Sequence, residues 1–474
     1  MNTSLKRALS LFLALVMLLL ILGSCASSND NKVKEYETQK AFTLSRENLS
    51  KFSIVYSSSN NDYDKRAAEY VRDEIKARTG VRLDIVNDVN EKSTEYEIVI
   101  GETSRDISKA LDASTEGLDF AILADDDQIA LEGNQFVIAA AAYFFVENYL
   151  GEGDFSSEIP MSATVHQPIV KEAKNHIILI GDGMGVYQTK LFDHLDMPED
   201  NDFSDGEDIF YGYMLPYHGF SRTDSISGTT DSAAGATALA CGYKTINAYL
   251  GLNRQRKEVQ SLTELALSLE KSAAILTTDV QTGATPGGFT VHVRDRDLTS
   301  EISKAQILMS KDTGTIIAGS LGGFTSADIT TLENKVVNTI DKIDDNENGF
   351  FMMYEEAHVD KYSHNNEIDR TFLSIARFNQ VIARIMEYAF YNPETFVLIT
   401  ADHETGSLTP NEAGVLSYHS ENHSSADVPI FAFGYGAERF DGKTIENVQI
   451  PKTIANLWGV TSFGDKALPP ALKN

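Results

Sequence analysis

Cysteines, basic residues and long apolar runs are all scarce in this chain. Two cysteines, Cys25 and Cys241, occur in 474 residues, so one pairing is the most they could form and a disulfide framework is excluded. Only 40 lysines and arginines stand against 69 aspartates and glutamates, a formal net charge of −29. Phosphate backbones are held by basic surfaces, so no nucleic acid binding is expected. An acidic protein can still act on phosphates where bound metal ions reverse the charge locally. The longest apolar run lies in MNTSLKRALSLFLALVMLLLILGSCASSND at the N-terminus, and it is only marginally long enough to span a bilayer.

Lys6 and Arg7 precede that run, and Leu22-Gly23-Ser24-Cys25 follows it. A basic start, a short apolar segment and small residues make an export signal. Leu-Gly-Ser-Cys resembles the bacterial lipobox, which implies cleavage before Cys25, lipidation of its thiol and a tethered extracytoplasmic protein at the cell surface or in the periplasm. Ala26 after the cysteine favours the outer membrane where the cell has one. Residues 1–25 are thus read as signal and lipidation site, and the polar residues 26–47 as a tether to the lipid. With Cys25 lipidated, Cys241 has no intramolecular partner, and its alanine-rich surroundings mark it as a packing residue.

Between residues 48 and 168 the apolar pattern alternates between strand and helix periods: FSIVYSS, DYDKRAAEYVRDEIKARTG, RLDIVND, EYEIVIGET, FAILADDD, QIALEGN and FVIAAAAYFFVENYLG. These predict a small α/β domain. It resembles the accessory domains that precede catalytic domains in some bacterial glycoside hydrolases, and no catalytic constellation is found in it. Over 174–474 the texture changes to fully apolar runs, HIILIGD, AAILTTD, TIIAGS, FFMMYEE, FVLITAD and PIFAFG, each leading into polar residues and a helix. This is the pattern of an α/β fold with a mainly parallel central sheet flanked by helices. Several runs end in carboxylates, and ligand sites of open α/β sheets gather at the carboxyl ends of strands, so Asp182, Glu355 and Asp402 are expected to converge. Asp279, at the end of AAILTTD, is left without a role.

The stretch TTDSAAGATALACG, residues 229–242, sets a hydroxyl at the head of a helix of small side chains. Such a helix can approach its neighbours closely and offers unpaired amides to an anion. Asp402 and His403 are adjacent at a strand end, while Asp360 and His364 are one helical turn apart and face the same way. Oxygen and nitrogen donors together suit zinc, and two such clusters beside one serine suggest a two-metal site.

Read together, AKNHIILIGDGMG, TDSAAGATALACGYKT, ATPGGFTVHVRDR, YEEAHVDKYSH, LITADHETG and ENHSSADVP resemble the alkaline phosphatase family, in family order across nearly all of residues 174–460. The resemblance implies a hydrolase of phosphate monoesters with Ser232 as the nucleophile that becomes phosphorylated. It implies two Zn2+, one held by Asp360, His364 and His423 and the other by Asp182, Asp402 and His403. It also implies one Mg2+ on Asp182, Thr285 and Glu355, a phosphate-gripping Arg296 rather than Arg294, and a homodimer as an available assembly. Lys361 would assist phosphate binding through water, His419 is the alternative to His423, and Glu404 need not be a ligand. His176, His292 and His358 are read as structural. Glycine at 283 departs from relatives with an acidic or histidine side chain there, so magnesium is expected to bind loosely and Gly283→Asp to tighten it, unless Asp279 or Gln281 already serves. The rival readings are a phosphodiesterase or sulfatase of the same superfamily, and a cell-surface binding lipoprotein with an inactive second domain.

Overall fold

Strands that are apolar along their whole length, such as Asn175–Gly181, Phe350–Glu356 and Thr395–Thr400, are buried on both faces, as a parallel sheet covered by helices requires. The computed structural model describes residues 40–59, 62–89, 92–111, 117–195 and 209–473. The segment read as an export signal, Cys25 and the segment read as a tether up to residue 39 lie outside the described residues. Among the described residues no helix is long and apolar enough to cross a membrane.

The larger sheet has eight strands, in spatial order Ile316–Ala318, Ser272–Thr277, Phe350–Glu356, Asn175–Gly181, Thr395–Thr400, Val428–Phe433, Tyr217–Arg222 and Thr444–Glu446. The first five run parallel, and Val428–Phe433 is antiparallel to both of its neighbours. The mainly parallel α/β architecture expected from the sequence is therefore present. Register sets the site: Thr277 lies opposite Glu355, and Ile180 lies opposite both Glu355 and Thr400. The carboxyl ends of these four strands are level, which brings residues far apart in sequence to one edge.

A second sheet precedes it, in the order Ile85–Asn87, Ser53–Tyr56, Glu97–Ile100, Gln128–Gly133, Phe120–Ala124 and Thr164–His166. Its first four strands are parallel, Phe120–Ala124 runs antiparallel to them, and Thr164–His166 pairs antiparallel with Phe120–Ala124. One boundary differs from the sequence reading. Residues 41–47, assigned there to the tether, are folded: Ala41–Ser45 pairs antiparallel with Ser156–Pro160, burying Phe42 and Leu44, and Ser45 closes a capping box onto the helix Arg46–Leu49. Two apolar residues at strand spacing, amid polar neighbours, carry that pairing.

From Ala41 onward the chain forms one compact unit, and the two sheets share a continuous apolar core. The joint is the helix Ile368–Tyr391, which turns one face to the larger sheet and another to the helix Ile138–Tyr149 and the turn Gln135–Val137 that cover the first. Across it Phe136 stacks on Phe390 with centroids 6.1 Å apart, and Tyr70 meets Tyr391 at 4.3 Å. Arg66 Nε donates to Glu387 Oε1 at 2.7 Å.

Candidate functional site

The level strand ends build the site from below. Asp182 follows Asn175–Gly181, Glu355 ends Phe350–Glu356, and Asp402 and His403 follow Thr395–Thr400. Asp360 and His364 lie on the helix His358–His364, and His423 on a short ribbon where it pairs with Thr405. Gly183 has φ +73, and a Cβ there would come within 2.8 Å of the Asp360 Cα. Only glycine lets the Asp182 turn lie against Asp360.

Two donor clusters result, one of Asp360, His364 and His423 and another of Asp182, Asp360 and His403. In the first, the two histidine Nε2 atoms are 3.1 Å apart and lie 3.4 and 3.5 Å from Asp360 Oδ1. Ligands at zinc–nitrogen and zinc–oxygen distances in a tetrahedron stand about 3.3 Å from one another. His364 Nδ1 donates to the Glu421 carbonyl at 2.5 Å and His423 Nδ1 to the Thr230 carbonyl at 2.8 Å. A carbonyl can only accept, so in the neutral rings both Nε2 atoms present lone pairs to each other, an arrangement that a cation between them relieves.

In the second cluster His403 Nε2 is 3.5 Å from Asp182 Oδ1 and 3.4 Å from Asp402 Oδ2. Asp182 Oδ1, Asp402 Oδ2 and Thr285 Oγ1 are buried without a hydrogen-bond partner. Unpaired buried oxygens are costly, and three converging on one edge fit a set of metal ligands. Asp402 Oδ2 thus faces His403, its other oxygen being taken by the amides of Gly183 and His403. Glu355 accepts from Thr277 Oγ1, and Asp182 and Thr285 face the same carboxyl.

The electrostatics point the same way. Burial raises Asp182 well above the usual carboxylate range, and the charges of Asp402, Asp360 and Glu355 add to it. Burial likewise raises Glu355 and Asp402. Burial works against ionised Asp360 too, yet its hydrogen bond with His423 and the nearby imidazoles hold it below the usual range. Burial opposes a charge on His423, but its hydrogen bond to Asp360 raises it; a field that holds a proton there would hold a divalent cation. Burial pushes His403 down to about 3, leaving the neutral imidazole that a metal needs.

Ser232, 3% exposed, heads the helix Ser232–Cys241 with its Oγ 3.2 Å from His403 Nε2. Asp231 caps that helix, accepting from Ala234 N at 2.9 Å. Arg296 Nη1 is 3.7 Å from Asp231 Oδ2, whereas Arg294 is exposed. Lys361 Nζ is bound to Asp279 Oδ1. His419 is exposed and outside both clusters, whereas His423 lies in the first. Glu404 is tied down by Gln188, Ser424 and the Leu408 amide, and Cys241 is buried against Gly288. The three structural histidines have structural partners: His176 takes Trp458 Nε1, His292 binds Glu264, and His358 meets Thr278.

Two participants were missed in the sequence, and a third, Asp279, was named there only as an alternative to a side chain at 283. Thr405 Oγ1 donates to Asp360 Oδ1 at 2.5 Å and meets His403 Nδ1 at 3.2 Å, joining the clusters. Thr277 steadies Glu355, and Asp279 holds Lys361. Thr405 sits inside ADHETG, where its spacing from His403 was the available signal.

Comparison with known proteins agrees with this geometry. The profile of the alkaline phosphatase family matches residues 173–330 and 325–416. Alkaline phosphatase 4 of Bacillus subtilis is 27% identical over 310 residues, which cover 54% of this chain and 66% of the relative, just under two thirds of its length. Alkaline phosphatase of Escherichia coli is 32% identical over 139 residues, 27% of each chain. The structure of alkaline phosphatase from the Antarctic bacterium TAB5 shares the fold at a TM-score of 0.53 and 24% identity, covering 60% of this chain and 98% of that one. The profile match takes in every residue of the two donor clusters except His423, and with more than half of its length matched the chain belongs to the alkaline phosphatase family.

Proposed function

We propose that the protein hydrolyses phosphate monoesters through a phosphoserine on Ser232, with two zinc ions and one magnesium ion bound. The observation that carries this reading is the position of Ser232 Oγ, buried at a helix N-terminus and 3.2 Å from His403 within the donor clusters. Asp360, His364 and His423 would hold one zinc, Asp182, Asp402 and His403 the other, and Asp182, Thr285 and Glu355 the magnesium. When bound, the ions favour ionisation of the serine hydroxyl and offset charge on the phosphoryl and leaving oxygens.

The chain's own groups supply alignment. Asp231 fixes the first turn that carries Ser232, and the amides and dipole of that turn favour an anion. Arg296 offers a planar fork for two phosphate oxygens, which a lysine could not match. The Ser232 oxygen forms a bond to phosphorus as the ester P–O bond breaks, and the alcohol departs with a proton. Water then attacks the phosphoserine, releasing phosphate and restoring the hydroxyl. Incubation with a labelled aryl phosphate at acidic pH should leave one phosphoryl group on Ser232, found by peptide mass spectrometry. Ser232→Ala should lose the label and nearly all turnover, by orders of magnitude, while still binding inorganic phosphate. Near-normal turnover in that variant would assign the nucleophile elsewhere.

The reading extends to location. The N-terminal sequence supports an extracytoplasmic protein tethered through lipidated Cys25, and Cys25→Ser should move it from the membrane pellet to the soluble fraction with turnover unchanged. A variant that still pellets would mean that the apolar segment is an uncleaved anchor.

A further inference from the structure

Gly283 stands two residues before Thr285, where an added side chain was expected to improve magnesium binding. The space there is tight. A Cβ at 283 would lie 3.0 Å from the Val280 carbonyl and 3.2 Å from Asp279 Oδ2. The other oxygen of the same carboxylate, Asp279 Oδ1, binds Lys361 Nζ, and Lys361 directly follows Asp360. One side chain thus spans from the Thr285 loop to the helix that carries Asp360.

The loop that presents it is fixed. Thr277 Oγ1 accepts from the Asp279 amide at 2.9 Å and donates to Glu355, linking Asp279 to a carboxylate beside Asp182 and Thr285. The Asp279 carbonyl accepts from Ser320 N, and a Cβ on Gly319 would meet that carbonyl at 2.7 Å. The neighbouring Thr285 hydroxyl is buried and faces the Glu355 carboxyl.

We propose that Asp279 is a positioning residue: it aims the Lys361 ammonium at the phosphate and supplies, from position 279, the outer carboxylate that steadies the magnesium-side ligands above Gly283. This rests on the phosphomonoesterase reading. Glycine at 283 is then the counterpart of aspartate at 279, because the space accommodates one carboxylate and not two.

The test uses the full-length holoenzyme, with magnesium and zinc counted after gel filtration and the inhibition constant of inorganic phosphate measured beside kcat and KM. Asp279→Asn keeps the shape and removes the charge. It should lose magnesium about 10-fold more readily, as outer-shell changes do, and raise KM and the phosphate inhibition constant together, with zinc content and labelling of Ser232 preserved. Asp279→Ala/Gly283→Asp returns a carboxylate from the other side and should recover magnesium retention and phosphate affinity, whereas Gly283→Asp alone should impair both. Unchanged magnesium and phosphate binding in Asp279→Asn, or tighter binding of both in Gly283→Asp alone, would overturn the proposal. Failure to label Ser232 in the parent protein would instead overturn the reading beneath it.

Discussion

At the scale of single residues, a buried ion pair next to the site shows how the sheet edge is held. Arg377 and Glu356 are both fully buried, with Arg377 Nε 2.8 Å from Glu356 Oε2, Nη1 2.8 Å from the Gly323 carbonyl, and the guanidinium 4.1 Å from the Phe324 ring centre. Glu356 also accepts from Thr278 Oγ1 and the His358 amide, which ties the start of the Asp360 helix to the strand that bears Glu355. Burial opposes its charge, but Arg377 holds it down at about 2. An acid held below its unfolded value stabilises the fold above that unfolded value, and the stabilisation is lost as pH falls towards 2; here it is about 3 kcal/mol. Arg377→Leu strands the carboxylate and should destabilise by about 3–5 kcal/mol at neutral pH. Because the stranded Glu356 can take up a proton, the deficit should shrink between pH 8 and pH 5. Urea midpoints of both proteins in excess chelator, which removes metal release from the comparison, measure this. A deficit independent of pH would mean that Arg377 contributes packing alone.

At the scale of elements, most of the scaffold was legible and the reasons are specific. Fully apolar runs ending in carboxylates marked four of the five parallel strands, because a strand buried on both faces leaves no other pattern. Tyr217–Arg222 went unread: in YHGFSR His218, Phe220 and Arg222 are exposed and only Gly219 and Ser221 are buried, so no apolar run or apolar-in pattern marks it. The small-residue helix was read correctly as a close-packing element. A Cβ on Gly288 would come within 2.7 Å of the Ala236 Cβ, and one on Gly235 within 3.0 Å of the Asp402 carbonyl, so Ser232 is held near the donor clusters by what its helix lacks. Thr405 and the pairing of Asp279 with Lys361 were not legible in the same way. Their roles depend on loop paths that bring them to Asp360 and Lys361, residues 45 and 82 positions away, and no periodicity encodes such a path.

For the whole molecule, the question is whether the first sheet is an appendage or part of the cooperative unit. Phe136, Tyr70 and Tyr63 belong to the first sheet's layer, and Phe390, Tyr391 and Glu387 to the helix Ile368–Tyr391, whose opposite side packs on the strands that carry the site. The joint is also electrically closed: Glu387, 7% exposed, is shared by Arg66 from the first layer and Arg384 from its own helix. Separating the layers would break the Arg66–Glu387 pair and uncover aromatic surface on the central helix, at a cost of several kcal/mol. The folded chain should therefore unfold in a single calorimetric transition rather than in two. Phe136→Ala should lower that one transition by about 3–5 kcal/mol without splitting it, and should leave KM unchanged, since Phe136 meets the helix at Phe390, at the end opposite to the one that follows the Asp360 helix. Two resolved transitions in the parent protein would show that the first sheet folds and melts alone. A shift in KM with an unchanged midpoint would instead make the first layer a contributor to the site.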